Sequence, residues 1–314
     1  MKRMRIVFFG TPEFAVASLE ALLATEHDVV AVVTAPDKPA GRGQKERPSP
    51  VKACALAHQL LVLQPTHLKA HTFVEALKGL AADVHIVVAF RMLPEVVWDM
   101  PPEGTYNVHG SLLPDYRGAA PINWAIVNGE KTTGVTTFKL QHTIDTGSIL
   151  LQRSTPIGID ENAGDLYQRL MKLGAEILVE SIQLIAAGKI ELHPQPAATT
   201  KHAPKINKED YKIDWNLPAS KVHDFIRGMN PFPGAYTEVK LDGQFSAWKI
   251  VKTHLTNERR TATGQFRSEG SRLFIGTQTE DLEILAIQPP GKKKLTAADF
   301  LNGFRGDVLA LVCA

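Results

Sequence analysis

Apolar residues in the first ninety positions come in short runs, separated by stretches whose apolar positions have helical spacing. Arg5–Phe9 reads as a buried strand that Gly10-Thr-Pro12 ends. Glu13–Ala24 follows as a helix, with Phe14, Leu19, Leu22 and Leu23 on one side. Asp28–Thr34 and Asp83–Ala89 repeat the strand pattern, and Val51–Gln59 and Thr72–Gly79 the helical one. This alternation predicts a Rossmann-like α/β fold, a mostly parallel sheet with helices on both faces. Such sheets bind ligands outside the carboxyl ends of their strands, where the strand order reverses. A polar cluster at 107–114 follows the third strand and its short helix, where that rule puts a site.

The pattern then changes. After Ser148–Gln152, Ala163–Ala187 predicts a long helix closed by Gly188. Glu191–Pro204 has prolines after His193, Gln195 and Ala203 and no apolar period, so it reads as an extended linker. Ile206–Asn230 reads as helical, anchored by Trp215. Short evenly spaced runs follow at Ala235–Leu241, Ser246–Thr253, Gly264–Glu269, Arg272–Gly276 and Leu282–Gln288. They predict a small barrel or sandwich. The expected organisation is an N-terminal domain 1–189, a linker 190–205 and a C-terminal domain 206–314.

Composition narrows the function classes. With 314 residues, 44% hydrophobic and 22% charged, the chain has the makeup of a soluble globular protein of one large or two medium domains. A net charge of +2 excludes a polycation, but the charge is uneven. Residues 201–314 hold 17 Lys and Arg against 13 Asp and Glu, and residues 1–200 hold 18 against 20, so the C-terminal part is the better suited to an anion. Cys54 and Cys313 lie far apart, without disulfide or zinc spacing, which fits a reducing compartment. Val7-Phe-Phe9 is too short for a secretory core, and no run approaches the ~20 apolar residues of a membrane span. A cytoplasmic protein with no membrane association is expected.

The turn Gly10-Thr-Pro-Glu-Phe14 has one glycine and a glutamate where a dinucleotide fold carries its glycine fingerprint. A carboxylate there repels a pyrophosphate, so a nicotinamide enzyme is rejected. The informative stretch is Asn107-Val-His-Gly-Ser-Leu-Leu-Pro114, together with Asp145 in Gln141-His-Thr-Ile-Asp-Thr-Gly147. An amide, an imidazole and a carboxylate are the groups needed to move an acyl group onto an amine. Singly, each is an ordinary turn or surface residue, so the sharper reading requires that one pocket unite them. His85 and His142 read as solvated or satisfied.

These motifs, with Thr34-Ala-Pro-Asp-Lys-Pro-Ala-Gly-Arg-Gly43, Pro48-Ser-Pro-Val-Lys52, Arg117-Gly-Ala-Ala-Pro121, Asp145-Thr-Gly147, Ile213-Asp-Trp215 and Gln288-Pro-Pro-Gly-Lys-Lys293, resemble the N10-formyltetrahydrofolate-dependent formyltransferase superfamily over nearly the whole chain. Within it the chain is most similar to the branch acting on charged initiator methionyl-tRNA. The resemblance implies an OB-like β-barrel as the small C-terminal domain and 10-formyltetrahydrofolate as co-substrate, with no metal; a monomer is expected. It implies that Asn107, His109 and Asp145 are catalytic and that Ser111, Leu112, Leu113, Pro114, Met92 and Leu93 contact the folate. The loop from Asp37 to Pro48 is, as bare sequence, a solvated surface loop. The resemblance makes its Lys38, Arg42, Lys45 and Arg47 contacts to the tRNA acceptor end. Lys292 and Lys293 read either as a solvated face or as further phosphate contacts. One departure is Arg91, in Phe90-Arg-Met-Leu-Pro94, where the superfamily commonly has glycine. The alternatives are a sugar-nucleotide N-formyltransferase with the same trio, and a non-catalytic tRNA-binding protein.

Overall fold

The computed structural model describes residues 2–40, 45–196, 201–241 and 243–313. The chain folds as two compact units, each discontinuous in sequence. Met1–Gly118, Thr133–Thr155 and Tyr167–His202 form the first; Ala119–Thr132, Pro156–Leu166 and Ala203–Ala314 form the second.

The first unit is built on a seven-stranded sheet: β1 (Arg5–Gly10), β2 (Asp28–Val33), β3 (Val62–Leu63), β4 (Val84–Val88), β5 (Thr105–His109), β6 (Thr132–Lys139) and β7 (Ile149–Pro156). The strand order is β7-β6-β5-β4-β1-β2-β3. Pairing is parallel from β5 through β3 and antiparallel between β5 and β6. The chain runs outward from β1 through β2 to β3, then returns to place β4 on the other side of β1. The reversal therefore lies between β1 and β4. Both faces of these strands are covered, which is why they read as continuous apolar runs rather than alternating ones. On one face Val7, Phe9, Val33 and Val87 pack with Phe73, Leu77 and Val97. On the other, a Cβ at Gly174 in the long helix Ala163–Ala186 would come within 3.2 Å of Val108.

Glu13–Leu23, Pro50–Ala57 and His71–Gly79 are helical, close to the expected spans. Ser49 caps the second of these, accepting from the Lys52 amide at 3.0 Å. Gly10 serves packing rather than phosphate approach, because a Cβ there would meet the Ala15 Cβ at 2.7 Å and the Phe8 ring at 2.8 Å.

In the second unit, β8 (Tyr236–Leu241), β9 (Gln244–Leu255), β10 (Phe266–Glu269), β11 (Arg272–Gly276), β12 (Asp281–Gln288), β13 (Leu295–Thr296) and β14 (Val312–Cys313) pair in the order β10-β11-β12-β9-β8-β14, with β13 beside β12. A bridge between Gln265 and Val312, and a Cys313 N–H bond to the Gly264 carbonyl at 2.8 Å, close the sheet into the expected antiparallel barrel. Trp248, Ile250, Phe266, Leu273, Ile284 and Ile287 fill it.

The continuous helix expected over Ile206–Asn230 is a misreading. Only Lys208–Tyr211, a single 3-10 turn, and Ala219–Gly228 are helical. Asn207 and Asp210 close a capping box around the turn, and Pro218 starts the second helix, so the intervening chain runs extended. There the Ile213 N–H bonds the Tyr236 carbonyl at 2.7 Å. Trp215 is the anchor expected, buried with its indole N–H donated to Thr237 Oγ1 at 2.9 Å.

Candidate active site

Asn107 and His109 lie on β5, a strand the sequence pattern did not reveal, because Thr105-Tyr-Asn-Val-His109 mixes polar and apolar residues on a strand paired on both sides. Alternation along a strand puts both side chains on one face of the sheet, at its carboxyl edge and one strand from the reversal point. Val87 and Phe138 flank Asn107 in register. The Asn107 Oδ1 is buried without a hydrogen-bond partner. An unsatisfied buried amide oxygen costs about 1–3 kcal/mol, which marks this side chain as kept for something other than stability.

His109 is 7% exposed. Its Nε2 lies 2.9 Å from the Tyr116 carbonyl. A carbonyl can only accept, so Nε2 carries the proton and Nδ1 is the ring atom left to gain or lose one. Nδ1 is 4.0 Å from Asp145 Oδ2. Asp145 takes a left-handed backbone conformation (φ +54°), and its carboxylate accepts from the Gly118 N–H at 2.9 Å.

The loop after His109 is braced from β6 and β7. Thr136 Oγ1 donates to the Ser111 carbonyl at 2.7 Å and accepts from the Leu113 N–H at 3.1 Å. Gln152 Nε2 donates to the Leu113 carbonyl at 2.8 Å. Ser111 Oγ donates to the Asp115 carbonyl at 2.6 Å, so its side chain closes the loop on itself. Leu113 is buried, whereas Leu112 and Pro114 are half-buried. Gly134 makes room for Leu112, since a Cβ there would stand 2.6 Å from its methyl group.

Of the other two folate candidates, Met92 is 71% exposed, while Leu93 belongs to the core beside Val97 and Phe73. Arg91 is used structurally: its guanidinium donates to the Thr66 carbonyl at 2.9 Å and to that of Pro65.

The tRNA candidates are distributed. Lys38–Ala40 and Lys45–Arg47 form a two-stranded hairpin in which Lys38 faces Arg47 in register, both exposed. Arg42 lies outside the described residues, and Lys45 is placed by its backbone alone. The hairpin's base is clamped. Asp37 pairs with Lys52 and accepts from Gln64 Nε2 at 2.9 Å, and Gln64 also donates to the Ala35 carbonyl at 2.8 Å. The Lys52 ammonium, with the Gln64 amide, holds the Asp37 carboxyl below its ordinary pKa. Lys292 and Lys293 are exposed in the second unit, on a turn held by the Lys292 N–H to the Pro289 carbonyl at 3.2 Å.

Two residues that brace the Asp145 turn, Gln195 and Arg117, lay outside the expected site. Gln195, in the segment read as a linker, donates from Nε2 to the Asp145 carbonyl at 3.0 Å and the Gly147 carbonyl at 2.7 Å. Its Oε1 accepts from Arg117 Nε at 3.1 Å and Nη2 at 2.7 Å. Proline content alone made the segment look unattached, and no local pattern links residue 195 to residue 145.

An imidazole facing a carboxylate, with an asparagine side chain two residues away at the carboxyl edge of a doubly wound sheet, is an arrangement able to support acyl transfer onto an amine. The sequence matches the formyl transferase family over residues 4–182 and the C-terminal domain of formyl transferases over residues 205–305. The chain belongs to the formyl transferase family. A methionyl-tRNA formyltransferase of Bacteroides fragilis is 47% identical, the match covering 96% of this chain and 95% of that one. Another, of Flavobacterium johnsoniae, is 46% identical over 96% and 97%. Among solved structures, the fold is similar to the sugar 3N-formyl transferase WlaRD in the presence of dTDP and 5-N-formyl-THF, with TM-score 0.67 and 22% identity over 93% of this chain and all of that one. It is also similar to HypX of Aquifex aeolicus in complex with tetrahydrofolic acid, with TM-score 0.66 and 20% identity over 98% of this chain and 49% of that one.

Proposed function

We propose that this protein transfers the formyl group of 10-formyltetrahydrofolate to the free amino group of initiator methionyl-tRNA, giving N-formylmethionyl-tRNA for translation initiation. The observation that carries this reading is the placement of Asn107 two residues before His109 on β5, with the His109 Nδ1 4.0 Å from the Asp145 carboxylate. Relatives near half identity over 96% of the chain bear that activity in their names.

The cofactor supplies the formyl carbon, and a side-chain amide N–H such as that of Asn107 is the kind of donor that fits its oxygen. The chain's residues do the rest. The Asn107 N–H donates to the oxygen as it gains charge, a contact typically worth about 10²–10³ in rate. His109 Nδ1, 4.0 Å from the Asp145 carboxylate, takes the proton leaving the attacking amine and gives it to the folate nitrogen as its bond to the formyl carbon breaks. Met92, Leu112 and Pro114 offer apolar surface to the pterin and its linker, with Ser111, Leu93 and Leu113 fixing them from behind. Lys38, Arg42, Lys45 and Arg47, with Lys292 and Lys293, meet the tRNA. Residues 1–189 carry the chemistry and 206–314 bind tRNA, in a cytoplasmic monomer. Among the described residues, no helix is long and apolar enough to cross a membrane.

Incubation with 10-formyltetrahydrofolate and charged initiator tRNA should yield N-formylmethionine on the tRNA. Formylation of a nucleotide-linked amino sugar, with none on the tRNA, would replace this reading.

A further inference from the structure

The turn that presents Asp145 is held from outside itself. A non-glycine residue at φ +54° carries a cost of roughly 1–2 kcal/mol, so neighbouring contacts must keep it there. Within the turn, Thr146 makes a long N–H bond of 3.4 Å and a hydroxyl bond of 3.0 Å, both to the Thr143 carbonyl. The shorter restraint comes from Gln195, whose one amide nitrogen ties the carbonyls of Asp145 and Gly147 together.

The orientation of that amide is not ambiguous. Arg117 can only donate and the two carbonyls can only accept, so Oε1 faces Arg117 and the NH₂ faces the turn. Arg117 Nη2 also donates to the Pro196 carbonyl at 3.1 Å, seating the residue after Gln195. The segment is fixed on both sides of this point. His193 and Ile149 exchange two backbone hydrogen bonds of 2.8 Å at the start of β7. The Lys201 carbonyl accepts from the Tyr116 N–H at 2.8 Å, and the Tyr116 carbonyl in turn accepts from His109. Both members of the imidazole–carboxylate couple thus lean on the same strap.

We infer that Gln195, oriented by Arg117, is a positioning residue that holds the Asp145 carboxylate toward the His109 ring and acts on the reaction through it. This rests on the catalytic reading of His109 and Asp145. Gln195→Glu keeps an Arg117 partner but sets carboxylate oxygens against two carbonyl oxygens, so the turn loses its restraint while the strap stays docked. Gln195→Leu removes both sets of bonds.

The test measures kcat, KM for both substrates and folate Kd for both variants, in the wild-type and Asp145→Asn backgrounds. Misplacing a reacting group by an ångström costs about a hundredfold, so kcat should fall roughly ten- to hundredfold. Folate Kd and both KM values should stay within about twofold. In the Asp145→Asn background the same substitutions should cost less than about twofold, since a residue acting only through Asp145 has nothing left to position. An equal loss in both backgrounds, or wild-type kcat in a folded Gln195→Leu protein, would overturn the inference. Should Gln195→Leu fail to fold, Gln195→Glu carries the comparison. Wild-type turnover in Asp145→Asn alone would instead remove the catalytic reading beneath it.

Discussion

Asn107 and His85 show opposite ways in which a single polar residue in this sheet is left unsatisfied. The Asn107 oxygen is a stability cost retained on the strand that carries His109. Asn107→Ala should therefore lower kcat by about 10²–10³, while the melting temperature stays level or rises. A matched loss of stability and activity would make Asn107 a structural residue. His109→Ala and Asp145→Ala should each remove most turnover but leave a folded, folate-binding protein, because both act on charge that develops during the reaction. Near-normal kcat in either would take that residue out of the mechanism. His85 is buried against Phe9, its Nδ1 without a partner, and burial pushes its pKa down to about 4. The unfolded chain titrates near 6.5 and so binds a proton that the folded chain refuses. Folded stability is thus full above about pH 6.5 and falls as the pH drops toward 4. His85→Leu should flatten that decline, measured by urea unfolding at pH 7 and pH 5. Equal losses in both proteins would place the acid sensitivity elsewhere.

At the scale of elements, helices with a strong apolar stripe were legible, and so were strands buried on both faces. Glu13–Leu23, the start and end of Ala163–Ala186 and the run of β1 fall within a residue or so of expectation. β5 and β6 were not legible. Their chemistry-bearing and threonine-rich sequences follow the needs of the site and of cross-strand packing. Gly134 in β6, for instance, is fixed by the Arg153 carbonyl, which a Cβ would approach to 2.1 Å. The trio itself was visible as residue types, but the groups that orient it, Gln195 and Arg117, come together only through tertiary contact. The paired strands Lys38–Ala40 and Lys45–Arg47 are another element whose setting is tertiary, clamped at its base by Asp37, Lys52 and Gln64. Arg42→Ala should cost about ten- to hundredfold in kcat/KM for charged tRNA and little in folate binding. Asp37→Asn, which loosens the clamp without touching the basic side chains, should raise KM for tRNA in the same direction but leave its salt dependence intact. Wild-type tRNA kinetics in both variants would make the hairpin a bystander.

Over the whole molecule, the second unit is not the C-terminal segment alone. Helix Pro121–Val127 packs on helix Ala219–Gly228 so closely that a Cβ at Gly228 would come within 2.6 Å of Val127. Asn123 Nδ2 donates to the Gly228 carbonyl at 2.7 Å, and Trp124 Nε1 to that of Pro204 at 2.8 Å. Arg227, 5% exposed, pairs with Asp224 and donates to the carbonyls of Glu161 at 2.9 Å and Gly158 at 3.3 Å. The buried His223 contacts the Ile159 carbonyl at 3.2 Å through Nε2. A fragment starting at residue 206 keeps the barrel strands but loses every one of those early partners. It exposes the helix face that Val127 covered, and it strips a buried cation of two carbonyl acceptors, hydrogen bonds to a charged group being worth about 1.5–3 kcal/mol each. Set against a typical stability of roughly 5–15 kcal/mol, that is a large fraction. The isolated 206–314 fragment should therefore unfold at markedly lower urea than the barrel within the full chain. Trp215 and Trp248, both in the barrel core, report on that transition. A fragment with the midpoint of the intact protein would show that the barrel is self-sufficient and that the early segments only rest on it.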